Sequence, residues 1–451
     1  MDMTRKPTER ELSADFYRVC AAVVIVIGHW LAASVYFRDG QFGNDDVLAD
    51  LPWTQWLTLI FQVVPVFFVV AGYANAASWA CARGADDVAW YGWLRQRVTR
   101  TLGPTTVYVA AVLAVIAALV VSGVSPSQVA FGGWAVALHL WFIPIYLIVV
   151  ALTPIAVAAQ QRWGLTAVAV PAAAVAAVDA ASFAGWLPHL GAVNYLLCWA
   201  AVFQIGVAWH GGALQRRRPL VLFASAAVAL ALLVGPGPYP VSMVGVTGAA
   251  VKNTTPPTIA MVVFAVAQAG LVIAVAPAIS RWLRHSRLRA PVAIANRNVM
   301  MLYLWHMVPV VIVSLIAYPT GLLHQPPLGS GGWWLARLAW LAVLVVVTAA
   351  ELTLLWFGRS WFAAPLRTVP VALPRRFAAP ALLLGAVAAT IGLSRLAANG
   401  FTSDGRFPVL LVLLFVAGVA LVALQPVGAR RSVRTVAHPS VGPSLRGQRS
   451  L

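Results

Sequence analysis

Long apolar runs recur along almost the whole chain and are separated by short polar gaps. A helix that crosses a bilayer needs about 20 consecutive, mostly apolar residues. Runs that reach or approach this length lie near residues 14–36, 54–80, 104–122, 136–158, 164–181, 192–210, 219–234, 257–279, 296–318, 333–357, 377–394 and 407–425. The pattern therefore predicts an all-α, polytopic integral membrane protein with about twelve transmembrane helices.

The basic residues are distributed between alternate gaps, which predicts an orientation. If the N-terminus is cytoplasmic, 25 of the 31 lysines and arginines fall in cytoplasmic segments and four fall in outer loops. The remaining two, Arg18 and Arg337, lie within spans. An excess of Lys and Arg in cytoplasmic loops is the usual orientation signal. We expect a multi-pass protein of the cell (inner) membrane with both termini in the cytoplasm.

Composition narrows the possible functions. Apolar residues make up 61% of the chain and charged residues 10%, whereas a soluble domain has about 45–50% and about 25%, so a cytosolic enzyme is excluded. The net charge of +18 lies mostly in the short gaps, as topology signals do, so we expect the lipid bilayer and no nucleic acid as a partner. The three cysteines have no metal-binding spacing, and we expect no metal and no permanently bound cofactor.

Three ionisable residues, Asp15, Arg18 and His29, share the first predicted helix. Such side chains are costly inside a membrane, so each is a candidate functional residue. Eleven residues separate Arg18 from His29, which places both on one helix face and His29 about 16 Å further along the axis. Asp15 precedes Arg18 by three residues and can pair with it or orient it. For His29 alone, a buried hydrogen-bonded histidine and a general base both stay open.

A second histidine is expected at a similar depth. The ninth predicted span begins at the polar residues 296–298 and carries Tyr303 and, one turn later, His306, about 13 Å along the helix. Two imidazoles at one depth on different helices could line one cavity and exchange protons there. His139 and Trp141 stand at the outer start of the fourth span, where they either meet an acceptor or face water.

A basic cluster precedes the third span. Arg95, Arg97 and Arg100 follow one another closely, and Arg97 and Arg100 would share a helix face. Guanidinium groups bind phosphate through two parallel hydrogen bonds. Ordinary arginines of a cytoplasmic loop form the same pattern, so phosphate binding and topology both remain as interpretations.

Several of these segments together resemble the acyltransferase 3 family of polytopic membrane acyltransferases. In the family's order, the segments that carry the resemblance are DFYR at 15–18 with His29 eleven residues after Arg18, VFFVVAGY at 66–73, the RxxR pair Arg97 and Arg100, HLWFIP at 139–144 and LYLWH at 302–306. In the second segment, Ala71 stands where the family usually has serine.

The resemblance implies transfer of an acetyl or other short acyl group from cytoplasmic acyl-CoA, with acetyl-CoA as the first choice, to a hydroxyl of a carbohydrate or lipid-linked carbohydrate. In the family, the histidine matching His29 is catalytic, the arginine matching Arg18 is its partner, and the RxxR arginines contact the donor. Our candidate residues are His29, Arg18 and Asp15 for catalysis, Arg97, Arg100 and Arg95 for the donor, and His306, Tyr303, His139 and Trp141 for the acceptor side of a cavity.

The resemblance also divides the chain. A cytoplasmic segment at 1–13 would precede a ten-helix acyltransferase-like core at 14–357, two additional transmembrane helices would occupy 358–425, and a disordered basic cytoplasmic tail would follow at 426–451. Residues 37–52 and 235–256 form the two longest outer loops, and lids or simple connectors both remain open for them.

Two other functions compete with acyl transfer. A proton-coupled secondary transporter or lipid flippase also fits twelve helices with histidines near the membrane midplane. The sequence contains no repeated half and no corresponding pair of broken helices, which favours the enzyme. A catalytically inactive protein of the same fold is the third alternative.

Overall fold

The computed structural model describes residues 11–84, 90–186, 188–371, 374–402 and 406–426. Residues 1–10 of the predicted N-terminal segment and the tail from residue 427 onward lie outside the described residues. Helices of ten residues or more are α1 (Leu12–Ala32), α2 (Val64–Arg83), α3 (Trp90–Val121), α4 (Pro126–Ala135), α5 (Phe142–Ala151), α6 (Thr153–Trp163), α7 (Thr166–Phe183), α8 (Asn194–His210), α9 (Arg218–Val234), α10 (Ile259–His285), α11 (Arg289–Trp305), α12 (Val308–Ala317), α13 (Gly331–Phe357), α14 (Ala378–Asn399) and α15 (Val409–Ala423).

Shorter elements connect these helices. Single turns of α-helix lie at Val47–Asp50, Thr58–Phe61 and Arg359–Phe362, and 3₁₀ turns at Pro52–Leu57, Leu138–Trp141, Pro188–Val193 and Arg375–Phe377. Strands β1 (Ser34–Arg38) and β2 (Gln41–Asp45) pair antiparallel, and β3 (Val369–Val371) pairs parallel with β4 (Leu424–Pro426). The fold is thus helical, with two small sheets that the all-α prediction did not include.

The long helices are those of a multi-pass membrane protein. Among the described residues, eight helices are long and apolar enough to cross a membrane, and the number is ten if each of two bent pairs is one span. The pairs bend by 41° between α4 and Leu138–Ala151, and by 45° between α11 and α12. The apolar helices α9 and α15 are shorter, and the predicted twelve spans would require both of them to cross.

Apolar side chains also cover much of the outer surface. On α13, for example, Leu338, Val346 and Leu354 are all exposed. A continuous apolar face of this kind is unfavourable in water and suits contact with lipid tails.

Close helix packing fixes the position of α2, which carries the VFFVVAGY segment. A Cβ at Gly72 would lie 2.0 Å from the carbonyl oxygen of Phe203, and a Cβ at Gly206 would lie 1.9 Å from that of Val69. Small residues allow such backbone contact between membrane helices. Gly72 therefore serves the α2–α8 interface, which holds α2 beside α1.

The last two helices belong to the core that surrounds the predicted site. Leu382 and Leu393 of α14 and Phe415 of α15 share one hydrophobic cluster with Leu140 and Tyr303. The predicted additional helices thus pack directly against the segments that resemble the family.

The first of the two predicted outer loops is structured. The first helix ends at Ala32, earlier than the predicted residue 36, because the chain turns at Asp39 and Gly40, both with positive φ, and pairs β1 with β2. Asp46 then caps the next helical turn and accepts a hydrogen bond from the Thr247 amide at 2.7 Å. Burial would raise the pKa of Asp46, but hydrogen bonds from Thr247, Ala49 and Leu48 outweigh it and lower that pKa below its usual value. The two long outer loops are therefore joined to each other.

Candidate active site

Two histidines from distant parts of the chain form a hydrogen-bonded pair. Nδ1 of His29 lies 2.8 Å from Nε2 of His306, and the rings stack with centroids 5.1 Å apart. His306 follows the last residue of α11, at the bend into α12, and is fully buried. The indole nitrogen of Trp30 donates to the His306 carbonyl at 2.9 Å, which ties α1 to this bend.

The partners of the pair determine where its protons lie. Nδ1 of His306 is 2.7 Å from the carbonyl oxygen of Tyr303, and a carbonyl only accepts, so this nitrogen carries hydrogen. In a neutral imidazole the other nitrogen is then an acceptor, and Nδ1–H of His29 donates to it. Nε2 of His29 is left with a free lone pair. The tautomers thus follow from the hydrogen-bond partners.

His29 lines a small cavity of about 60 Å³, whereas the predicted cavity-lining residue His306 is buried behind it. A single water needs about 10–15 Å³ measured in this way, so the space accepts a group of a few heavy atoms. The side chains that line it include His29, His139, Tyr303, Trp141, Phe67 and Phe142. The wall is mostly apolar with few polar groups, which is typical of small-molecule sites.

The break of one bent helix pair lies at this cavity, and the break of the other lies behind it, where His306 contacts the lining residue His29. His139 lies in the 3₁₀ turn Leu138–Trp141 between α4 and α5, and His306 lies between α11 and α12. Interrupted helices occur at membrane depth where they line a cavity. The sequence did not predict these two breaks. Because transporters also use such breaks, helix continuity does not separate transport from acyl transfer here.

The predicted acceptor-side residues lie together around the pair. The Tyr303 hydroxyl donates to the backbone carbonyl of His139. The His139 ring lies 4.9 Å from the His306 ring and close to the backbone of Leu304. Trp141 packs against Trp199 at 5.9 Å. In the described part of the chain, no three His, Cys, Asp or Glu side chains are grouped so that they could hold a metal ion.

A polar network lies near the other end of α1. Asn296 of α11 donates to the Asp15 carboxylate at 2.6 Å and accepts a hydrogen bond from Arg18 at 3.3 Å. Asp15 and Arg18 are thus joined through an amide that the sequence did not assign to the site. Asn296 precedes Met300, which lines the cavity, by four residues, or about 6 Å of helix.

Arg97 and Arg100 of α3 complete a cluster of three arginines with Arg18. Arg97 lies within electrostatic reach of both Arg100 and Arg18. Its guanidinium lies over the Trp93 ring at 5.8 Å, and its Nε is buried without a hydrogen-bond partner among the described residues. Three neighbouring guanidinium groups, of which Arg97 has a buried donor without a partner among the described residues, form a site suited to a phosphorylated ligand. We call this end of the molecule the basic end.

Arg95 has a different environment. It is 8% exposed and donates to the carbonyl oxygens of Val422 at 2.9 Å, Ala378 at 3.4 Å and Leu424. These carbonyls belong to the start of α14 and to the end of α15 and the strand after it. Because the Arg95 guanidinium is already hydrogen-bonded to backbone carbonyls, we infer that it holds the last two helices in place. We no longer include Arg95 among the residues that contact the donor.

Sequence reasoning missed two residues of this arrangement. Asn296 was noted only as the polar start of a span, and Trp30 was not singled out. An asparagine at the basic end of a span beside Arg297 was the available signal for the first. No sequence signal pointed to Trp30, because tryptophan is common in apolar helices.

Comparison with known proteins supports the acyltransferase resemblance. The family model described as an acyltransferase domain, that of the acyltransferase 3 family, matches residues 11–356, more than three quarters of the chain. The match contains the histidine pair, the cavity and the three arginines, and α14 and α15 lie beyond it. No curated protein and no solved structure shows significant similarity to the chain. The chain belongs to the acyltransferase 3 family of membrane acyltransferases.

Proposed function

We propose that the protein is an O-acyltransferase of the cell membrane. It moves an acetyl or other short acyl group from acyl-CoA to a hydroxyl of a carbohydrate or lipid-linked carbohydrate. The observation that carries the proposal is the His29–His306 pair, whose hydrogen-bond order leaves an unprotonated nitrogen beside a small cavity. Membership of the acyltransferase family supports transfer of an acyl group.

His29 acts as the general base. Its Nε2 accepts the proton of the acceptor hydroxyl as the oxygen attacks the thioester carbonyl carbon. The ester C–O bond forms, the C–S bond breaks, and the imidazolium returns the proton to the departing thiolate, so the products are an acyl ester and CoA. Throughout, Nδ1–H of His29 stays hydrogen-bonded to His306, which holds the ring and stabilises its transient positive charge. The transfer is direct, with no acyl-histidine intermediate.

The donor enters from the basic end. Arg18, Arg97 and Arg100 bind the phosphates of CoA, whose charge matches the three guanidinium groups. Along α1, Arg18 and His29 are about 16 Å apart, a distance of the same order as an extended pantetheine arm. The nucleotide can therefore stay at the surface while the thioester reaches the cavity. The excess of arginines supports a cytoplasmic location for this end and for both termini.

The cavity limits the acyl chain. Its volume of about 60 Å³ suits an acetyl group better than a long chain. This supports acetyl-CoA as the donor.

The test is transfer of label by purified protein in nanodiscs. With acetyl-CoA labelled in the acetyl group, we expect calorimetric binding of the donor, release of CoA, and base-labile label on a carbohydrate acceptor. Transport is the competing function, and the two broken helices are also compatible with it. It is measured as solute uptake into proteoliposomes. No acetyl-CoA binding, together with solute accumulation that needs no acyl-CoA, would contradict the enzyme and support transport.

A further inference from the structure

A second and larger cavity, of about 290 Å³, lies where α1 ends, at the opposite end from the arginine cluster. Its walls are the β1–β2 hairpin, residues 318–326 and the first turns of α13. We call it the hairpin pocket. It has nearly five times the volume of the cavity beside His29 and none of the predicted site residues lines it.

Arg337 lines the hairpin pocket with unused hydrogen-bond donors. The side chain is 6% exposed and stacks over the Trp333 ring at 4.7 Å. Its Nη1 donates to the carbonyl of Ala33 at 2.9 Å. Its Nε is buried without a partner among the described residues, and its Nη2 makes no hydrogen bond with them. A buried guanidinium with unpaired donors is costly unless an acceptor completes it.

Trp340 supplies a second unpaired donor on the same face of α13. It follows Arg337 by three residues and lines the same pocket. The side chain is 2% exposed, and its indole nitrogen has no hydrogen-bond partner among the described residues. Two side chains of the pocket wall thus carry buried donors without a partner among the described residues, which favours a ligand rich in oxygen acceptors.

The charges of the pocket favour an anionic ligand. Its charged groups are Arg38, Arg337 and Asp45, with His324 also in the wall. Asp45 pairs with Arg38 at 3.5 Å. Among the described residues, no carboxylate oxygen lies within 4.0 Å of the Arg337 guanidinium. Asp45 acts on Arg337 through electrostatics without a contact ion pair, so the guanidinium remains available to pair directly with a carboxylate or phosphate of the ligand.

The remaining walls favour a sugar ring over a lipid tail. Tyr36, Tyr318 and Trp333 provide aromatic surfaces beside polar groups. Gln325 accepts a hydrogen bond from the Phe37 amide at 2.7 Å, which leaves its amide nitrogen as a donor. Aromatic surfaces with a few placed polar groups suit an amphipathic ring such as a carbohydrate.

The hairpin pocket is linked to the histidine pair by short connections. Ala33, which binds Arg337, donates its own amide to the carbonyl of His29 at 2.9 Å. Trp340 shares a core cluster with Trp30, whose indole holds the carbonyl of His306. A molecule in the pocket thus lies about one helical turn of α1 beyond the base.

We propose that the hairpin pocket binds an acidic sugar, one that carries a carboxylate or phosphate, and that Arg337 is the residue that recognises its acidic group. This inference rests on the proposed function in that the sugar is the acceptor. It adds that an acidic sugar should be preferred to its neutral counterpart.

Binding can be tested without turnover. Wild-type protein in phosphatidylcholine nanodiscs is titrated with D-glucuronate, glucose 1-phosphate, methyl glucoside and inorganic phosphate. We expect at least one acidic sugar to bind tenfold or more tightly than both methyl glucoside and inorganic phosphate. Arg337→Gln should abolish the preference and Arg337→Lys should reduce it, while both keep acetyl-CoA binding at the basic end. Arg395→Gln, which removes an exposed arginine of α14, should keep the preference.

Three binding results would overturn the inference. These are wild-type protein that binds neutral and acidic sugars equally, Arg337→Gln protein that keeps the preference, and phosphatidylglycerol in the nanodisc that displaces the acidic sugar. The first and third need no variant, so a misfolded Arg337 variant does not block the test. Acylation of neutral sugars as readily as acidic ones would overturn this inference and keep the proposed function. Binding through Arg337 without any acyl transfer would overturn the proposed function and keep the pocket assignment.

Discussion

The histidine pair and the arginine cluster satisfy their polar atoms in opposite ways. In the pair, three of four ring nitrogens have a protein partner, and the fixed order of hydrogen bonds leaves one lone pair at the cavity. In the cluster, Arg97 keeps an unpaired donor beside two further guanidinium groups. A base needs a defined protonation state, whereas a binding site needs donors that the protein itself leaves unused. We therefore expect variants of the histidine pair to change the rate of acyl transfer and variants of the arginine cluster to change donor binding.

The largest effect should come from the base itself. His29→Ala removes the only group proposed to take the hydroxyl proton, so we expect the rate of acyl transfer to fall by about 10²–10⁴-fold. The measurement is single-turnover transfer from labelled acetyl-CoA, with donor binding unchanged. His285→Ala, which removes an exposed histidine at the end of α10, is the matched control. Full activity in His29→Ala would contradict the assignment.

The next effect tests whether His306 positions the base. His306→Gly leaves Nδ1 of His29 without its acceptor, so the ring loses its fixed tautomer, and we expect kcat to fall by about 10–100-fold. Added imidazole should restore part of the rate by replacing the missing ring. A purely structural role for His306 would show lost stability and no recovery with imidazole.

Arg97→Ala and Arg100→Ala should act on binding alone. A hydrogen bond to a charged group contributes about 1.5–3 kcal/mol, so each variant should raise the KM for acetyl-CoA by about tenfold or more at nearly unchanged kcat. The free CoA dissociation constant provides a second readout. A fall in kcat at constant KM would place these arginines in the chemical step and would erase the distinction between the two regions.

Arg95→Ala is the internal control for the cluster, because it lies two residues from Arg97 on the same helix. Its bonds to three backbone carbonyls predict a loss of stability, with a thermal midpoint lower by about 5 °C. The KM for acetyl-CoA should not change. An increase in KM matching that of Arg97→Ala would return Arg95 to the donor site.

The smallest effect lies in the joined outer loops. Asp46→Ala removes a helix cap and the bond to Thr247, which should cost about 1 kcal/mol, whereas Asp46→Asn keeps an acceptor and should cost less. Because folding lowers the pKa of Asp46, its contribution is present at neutral pH and is lost as the pH falls through the folded pKa. The midpoint difference between wild type and Asp46→Ala should therefore shrink below about pH 4. If the midpoint difference stayed constant with pH, the negative charge of Asp46 would not contribute to stability.

Helix geometry explains what the sequence could predict. A rise of about 1.5 Å per residue placed His29 and His306 at similar depths, and both line one region of the structure. The order of protons between them could not be predicted, because it depends on the Tyr303 carbonyl and on the bend at His306. Arg95 and Arg97 look alike in sequence and differ only through contacts with helices more than 280 residues away. Unpaired donors such as Arg337 are visible only once their neighbours are known.

The most direct test is the structure of the His29→Ala protein with a non-transferable acetyl-CoA analogue in which the sulfur is replaced by methylene. We predict phosphate density against Arg18, Arg97 and Arg100 and the acetyl group in the cavity beside the position of the missing ring. Nucleotide density elsewhere, or an acetyl group separated from the cavity, would contradict the account.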